Sequence, residues 1–104
     1  MQDRITLVVR FRIAASEREE FLAKLQDIFT NIVKEDTFVE ASLLQDISDP
    51  ESILNYEVWN ESPQSFIKEQ LNKPYRADFE KMLVDLSIER IPARCSTIAN
   101  WTKV

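Results

Sequence analysis

Asn55, Glu57 and Trp59 recur at every second position of the run Ser52–Asn60. Read as a strand, that run puts all three on one face and Leu54, Tyr56 and Val58 on the other, because side chains of an extended chain alternate sides. An amide that can donate to a substrate oxygen, a carboxylate that can take a proton and an indole that can wall a flat apolar slot then stand in one row. The next residues offer a roof: Ser62 can cap a helix, and Pro63 suits its first turn, where no N–H is needed. A strand bearing Asn, Glu and Trp that runs straight into a helix predicts a pocket between the two. Each residue also has a plainer reading. Trp59 can be packing, Asn55 a solvated residue near the strand start, and Glu57 an ion-pair partner of Arg10, Arg12 or Arg94 across the sheet or a dimer interface.

Phe66, Tyr75 and Phe79 extend the aromatic set and suit substrate binding, since a stacked aromatic pair contributes about 0.5–1.5 kcal/mol beyond its burial. Tyr75 and Phe79 also fall on the apolar stripe of a predicted helix, which makes them core residues as well. Arg10 and Arg12 project from the polar side of the first strand; they can bind an anion or phenolate, or simply face solvent or a partner subunit. The single cysteine, Cys95, has no histidine to activate it and is expected to be a small buried filler rather than a nucleophile.

The absences exclude whole classes of chemistry. Without glycine, neither a phosphate-binding P-loop nor a dinucleotide-binding G-x-G-x-x-G turn can be built. Without histidine, there is no imidazole base, no Cys–His pair, no His-ligated zinc and no proximal ligand for haem. The expectation is therefore a site with no metal and no cofactor. Net charge is −5, and no run of Lys and Arg forms a basic stripe, which argues against nucleic acid as a partner. No apolar run approaches the ~18–20 residues of a membrane span, and the N-terminus lacks the plan of a signal peptide. A cytoplasmic location with no membrane association is expected, and a lone cysteine suits a reducing compartment.

The elements that must position these residues follow from periodicity. Arg4–Ile13 alternates, with Ile5, Leu7, Val9, Phe11 and Ile13 pointing one way, and predicts a strand. Ser16-Glu17-Arg18-Glu19 fits a capping box and opens a helix whose apolar stripe runs from Phe21 through Leu25, Ile28 and Ile32 to Val33. Phe38–Gln45 predicts a second strand, with Val39, Ala41 and Leu43 on one face and Phe38, Ser42 and Leu44 on the other. The turn Asp46–Glu51 then makes a hairpin with the strand that carries Asn55. Pro63 to about Leu71 predicts a short helix with Phe66, Ile67 and Leu71 inward. Pro74 can start another, with Tyr75, Phe79, Met82, Leu83 and Leu86 at helical spacing. Residues 88–93 read as irregular around Pro92, and Arg94–Trp101 alternates as a fourth strand.

The resulting order is βαββααβ, a ferredoxin-like α+β fold with a four-stranded antiparallel sheet in one domain spanning residues 1–104. Helices cover one sheet face. The other is too apolar to leave to water, so a second sheet from an identical chain is expected, giving a homodimeric α+β barrel.

In this order, Ile5–Ile13, Glu19-Glu20-Phe21-Leu22, Leu44-Gln45-Asp46 with Asp49-Pro50, Tyr56-Glu57-Val58-Trp59, Ser65-Phe66 and Pro74-Tyr75 with Phe79 resemble the antibiotic biosynthesis monooxygenase family of dimeric α+β barrels. The likeness runs over nearly the whole chain. It implies the dimer and, in the branch acting on aromatic polyketides and quinols, oxygenation without a cofactor. There an Asn and a Trp four residues apart on this strand help hold substrate and dioxygen, a role the resemblance assigns to Asn55 and Trp59. The haem-degrading and sugar-phosphate-isomerase branches rely on a histidine that this chain lacks. The expectation is thus a monooxygenase acting on a small aromatic, quinol-like or polyketide-like substrate. Asn55, Glu57 and Trp59 form its catalytic set, and Phe66, Tyr75, Phe79 and Arg10 contact substrate. The alternative is a module on the same dimeric fold that binds a small ligand without turning it over.

Overall fold

The computed structural model describes residues 4–103. Its elements run β1 (Ile5–Arg12), α1 (Arg18–Ile32), β2 (Phe38–Gln45), β3 (Ser52–Trp59), α2 (Pro63–Ser65) continuing as a π-helical turn (Phe66–Gln70), α3 (Ala77–Asp85) and β4 (Glu89–Cys95). The strands form one antiparallel sheet in the order β2-β3-β1-β4, the split βαβ arrangement that the element order predicts. Ile5, Leu7, Val9 and Phe11 on β1 pack with Phe21, Leu25, Ile28 and Ile32 of α1 and with Phe79, Met82 and Leu83 of α3. At its centre the rings of Phe11, Phe21 and Phe79 lie with centroids 5.0–5.9 Å apart, all tilted or edge-on, the arrangement their ring quadrupoles favour. No helix of the described residues is long and apolar enough to cross a membrane.

Several local expectations give way. Ser16 does not cap α1. A 3₁₀ turn, Ala15–Glu17, encloses it, so the helix opens one residue later on Glu17, without a side-chain cap. In β2, a bulge between Phe38 and Glu40 takes up Val39 as an extra residue. A bulge reverses the alternation, and Phe38 swings to the side of Trp59, against which its ring packs at 5.3 Å. The fourth strand lies earlier than the alternation predicts, at Glu89–Cys95, and Trp101 is 87% exposed beyond it. Pro92 is tolerated inside β4 because the strand is at the sheet edge, where a missing N–H need not interrupt a ladder. Cys95 is exposed rather than buried, since it pairs with Thr6 on the face away from the helices. The segment after β3 makes one α-helical turn and then widens. Leu71 N–H donates to Phe66 C=O, closing the π turn, and the wider turn brings Phe66 and Gln70 inward while Ile67 and Leu71 stay exposed.

With no glycine available, α3 ends on a serine in the left-handed region: Ser87 has φ of 52°. Around it Ile88 N–H donates to Leu83 C=O at 2.9 Å and Ser87 N–H to Val84 C=O at 3.2 Å, the two bonds of a Schellman cap. The sheet face away from the helices carries half-buried Val8, Leu54 and Tyr56 and exposed Leu44 and Ile91.

Candidate functional site

Asn55, Glu57 and Trp59 share the helix-facing side of β3, as their spacing requires, and all three are buried: 4%, 4% and 0% exposed. They form one hydrogen-bonded unit. Asn55 Nδ2 donates to Glu57 Oε2 at 2.6 Å, and Trp59 Nε1 donates to Glu57 Oε1 at 2.9 Å. The carboxylate is thus oriented by two fixed N–H groups. The expected ion pair to Arg10, Arg12 or Arg94 does not form. Arg10 and Arg12 lie on the opposite sheet face, paired with Asp46 and with Asp49 and Glu51. A buried charge solvated by dipoles alone is costly, and this one is placed where something can reach it.

Beside it, under the helices, is a cavity of about 210 Å³. Its floor is Leu7, Val9, Asn55 and Glu57; its walls include Ile28, Phe29, Phe66 and Phe79; its charged lining besides Glu57 is Arg76, Glu80, Arg90 and Arg94. Asn55 Oδ1 is buried without a hydrogen-bond partner, as are Nε and Nη2 of Arg76. The volume exceeds the ~150 Å³ of an apolar cavity that admits benzene and falls below the ~300–1,000 Å³ usual for drug-sized ligands. One or two fused rings are what it suits.

The residues singled out by sequence separate into two groups. Asn55, Glu57, Phe66 and Phe79 line the cavity. Trp59, Tyr75 and Arg10 do not. Trp59 stands one layer behind, its ring edge-on between Phe38 and Phe66 with both centroids at 5.3 Å, so it reaches the cavity only through the Glu57 carboxylate. Tyr75 is turned toward the end of α1, where its hydroxyl donates to Glu35 Oε2 at 3.4 Å, beside the Lys73–Glu35 ion pair at 3.1 Å. Burial and the Glu35 charge push the Tyr75 phenol above its ordinary value of 10.0, with Arg76 opposing. Arg10 Nη1 donates to Ser52 Oγ on the far side of the sheet.

Arg76 and Glu61 escaped the sequence reading, and Arg94 entered it only as an ion-pair partner of Glu57. Arg76 and Arg94 line the cavity, Arg94 because its register against β1 sets it opposite Leu7; no local signal distinguishes it from any other exposed arginine. Glu61, which follows β3, is buried and accepts from Thr37 Oγ1 and Ser65 Oγ at 2.6 Å each and from Gln70 Nε2 at 3.1 Å. Burial by itself would raise its carboxyl, but the Ser65, Thr37 and Gln70 donors and the Lys73 charge outweigh that and hold it below its ordinary 4.5. With Ser62 Oγ accepting from Ser65 N–H at 3.1 Å, Glu61 ties the roof segment that carries Phe66 to the end of β3.

A family model described as antibiotic biosynthesis monooxygenase matches residues 4–81, well over half of the chain. The chain belongs to the antibiotic biosynthesis monooxygenase family. Solved structures share its fold from end to end. A variant of SnoaB, a cofactor-independent oxygenase from Streptomyces nogalater, superposes with a TM-score of 0.82 at 19% identity, covering 97% of this chain and 99% of that one. A protein from Mycobacterium tuberculosis gives 0.82 at 13% identity, covering 96% and 100%; one from Pseudomonas aeruginosa gives 0.81 at 17%, covering 95% and 98%. No functionally curated protein matches the sequence. In this member of the antibiotic biosynthesis monooxygenase family, the strand that holds Asn55, Glu57 and Trp59 lies within the matched span.

Proposed function

We propose that the chain is a homodimeric, cofactor-independent monooxygenase that oxidises a small aromatic, quinol-like substrate with dioxygen. The observation that carries this reading is the buried Asn55–Glu57 pair, hydrogen-bonded at 2.6 Å on the wall of a cavity otherwise floored and walled largely by aliphatic and aromatic side chains. Family membership and the similarity to a cofactor-independent oxygenase add to it.

The chemistry asks three things of the protein. A ring hydroxyl must lose its proton, for which Glu57 is the acceptor, its two donors fixing its oxygens in place. The resulting anion needs a hydrogen-bond donor, which the second N–H of the Asn55 amide supplies while the first stays on Glu57. Water must be kept out, which Phe66, Phe79 and the helix stripe accomplish. The quinolate then passes one electron to dioxygen, and the ring radical and superoxide recombine at a ring carbon that bears hydrogen. The peroxide takes up the proton held by Glu57. Loss of that carbon's proton together with hydroxide from the broken O–O bond leaves a new carbonyl and one water, so that quinol and O₂ become hydroxyquinone and H₂O. Trp59 in this scheme positions Glu57 and does not touch substrate.

Oxygen uptake on adding a reduced naphthoquinol in air tests the reading. Uptake above buffer that falls at least tenfold in Asn55→Ala supports it, on the scale of a lost donor to a developing oxyanion; buffer-level uptake across several quinols overturns it. The second reading, a module that holds such a ligand without turnover, is favoured by the withdrawal of Trp59 from the cavity surface and predicts binding without uptake. The dimer is tested separately by light scattering: Tyr56→Glu, on the apolar outer face, should release a monomer of 12.2 kDa, and a wild-type monomer at micromolar concentration removes the dimer.

A further inference from the structure

The floor of the cavity is laid out in rows across the sheet. Glu57 pairs with Leu7, and Leu7 in turn with Arg94. Neighbouring strands lie about 4.8 Å apart, which separates the Glu57 and Arg94 backbones by roughly 10 Å. Both side chains line the cavity, as does Arg76 from the turn before α3. Their charges are not matched. Arg90 is paired with Glu80 at 2.8 Å, and Glu57 is satisfied by Asn55 and Trp59. Arg76 and Arg94 make no ion pair within 4.0 Å among the described residues, and two nitrogens of Arg76 are buried without any hydrogen-bond partner.

The one other carboxylate of the lining, Glu80, is taken by Arg90; Arg76 has the Tyr75 ring at 6.0 Å but no carboxylate among the described residues, and Arg94 stands exposed at the rim. Buried donors without acceptors are rare and destabilising, and a concave site is where such a group meets an acceptor on a ligand. The cavity therefore has two chemically distinct ends: a proton acceptor at Glu57, and two guanidiniums whose planar N–H forks match a carboxylate. Between them lie Leu7 and the rings of Phe66 and Phe79.

We propose that the cavity selects a hydroxy-aromatic acid, with its carboxylate held by Arg76 and Arg94 and its hydroxyl directed at Glu57. The inference rests on reading the cavity as the substrate site and narrows the substrate class from a neutral quinol to an anionic one. The test is anaerobic calorimetry with 6-hydroxy-2-naphthoate, whose polar groups lie at opposite ends of two fused rings, against its methyl ester. The acid should bind at least about tenfold more tightly than the ester, as expected for hydrogen bonds between charged partners. Its affinity should weaken as salt is raised while that of the ester does not. Arg76→Gln and Arg94→Gln should each remove most of the preference, weakening the acid far more than the ester; Arg94 sits on the exposed edge strand, so its variant stays informative if Arg76→Gln melts early. Equal binding of acid and ester, no binding of either, or a preference that survives in Arg94→Gln with wild-type melting overturns the inference. Oxygen uptake on a neutral naphthoquinol separates the two readings. Uptake without acid preference removes this inference alone, and acid preference without uptake on any quinol removes the oxygenase reading alone.

Discussion

Replacing Glu57 with Gln separates what the site does for chemistry from what it does for the fold. The carboxylate is 4% exposed, accepts one bond from Asn55 and one from Trp59, and has no Lys or Arg nitrogen within 4.0 Å among the described residues. Taking an ion out of water in this way costs several kcal/mol; its two charge-assisted bonds return about 1.5–3 kcal/mol each. Glutamine keeps the shape. Its oxygen accepts from Trp59 Nε1, and once the Asn55 amide turns over, its nitrogen donates to Asn55 Oδ1, which is otherwise without a partner. Two neutral bonds return about 0.5–1.5 kcal/mol each, so the substitution surrenders roughly 2–3 kcal/mol of hydrogen bonding and removes a desolvation penalty of that size or larger. Stability should stay within about 1 kcal/mol of wild type or rise. Oxygen uptake, by contrast, should fall by about a hundredfold to ten-thousandfold, the usual contribution of a positioned base, or roughly 3–5 kcal/mol in the barrier. Urea unfolding, followed by the buried Trp59 in a Trp101→Phe background, measures the first quantity, and oxygen uptake on naphthoquinol the second. A variant that loses more than about 2 kcal/mol of stability while keeping uptake within about tenfold of wild type would refute the assignment of Glu57 as a base maintained at a cost to the fold.

Trp59→Phe removes the second donor to Glu57 and a packed ring, and should destabilise the protein by about 2–4 kcal/mol in urea unfolding; if Trp59 acts only through Glu57, kcat falls while KM changes little, and a change confined to KM would contradict that role. Glu61 is held below its ordinary value of 4.5, so its contribution to stability is full above that pH and is lost as pH falls through the lower folded value. Urea midpoints measured down through the carboxylate range should drop less steeply in Glu61→Gln than in wild type, and parallel slopes would show that its three donors do not stabilise the charged form. Ser87→Gly should raise stability by about 0.5–1 kcal/mol, because glycine adopts the positive φ of the α3 cap without a Cβ clash and recovers more than its added chain entropy. An unchanged or lower urea midpoint would mean that the serine side chain compensates.

The sequence by itself determined the first three strands, the helical stripes and the face shared by Asn55, Glu57 and Trp59, but not the place of the fourth strand. Those follow from period two and period 3.6, which act between near neighbours and survive any choice of tertiary partner. Phe21, Leu25, Ile28 and Ile32 and the Ser62-Pro63 helix start were legible for the same reason. Beyond that reach, register decided. Arg94 joins the site only because β4 pairs with β1 so that Arg94 lies opposite Leu7, and nothing within β4 encodes that offset. Phe38 meets Trp59 only because the ladder absorbs Val39 as a bulge. Whether an indole on the right face touches the cavity or backs its wall depends on the rings of Phe38 and Phe66, which arrive from distant elements. Local spacing can put chemical groups on one face; only the packing of that face against the rest of the chain settles which of them line the space beside it.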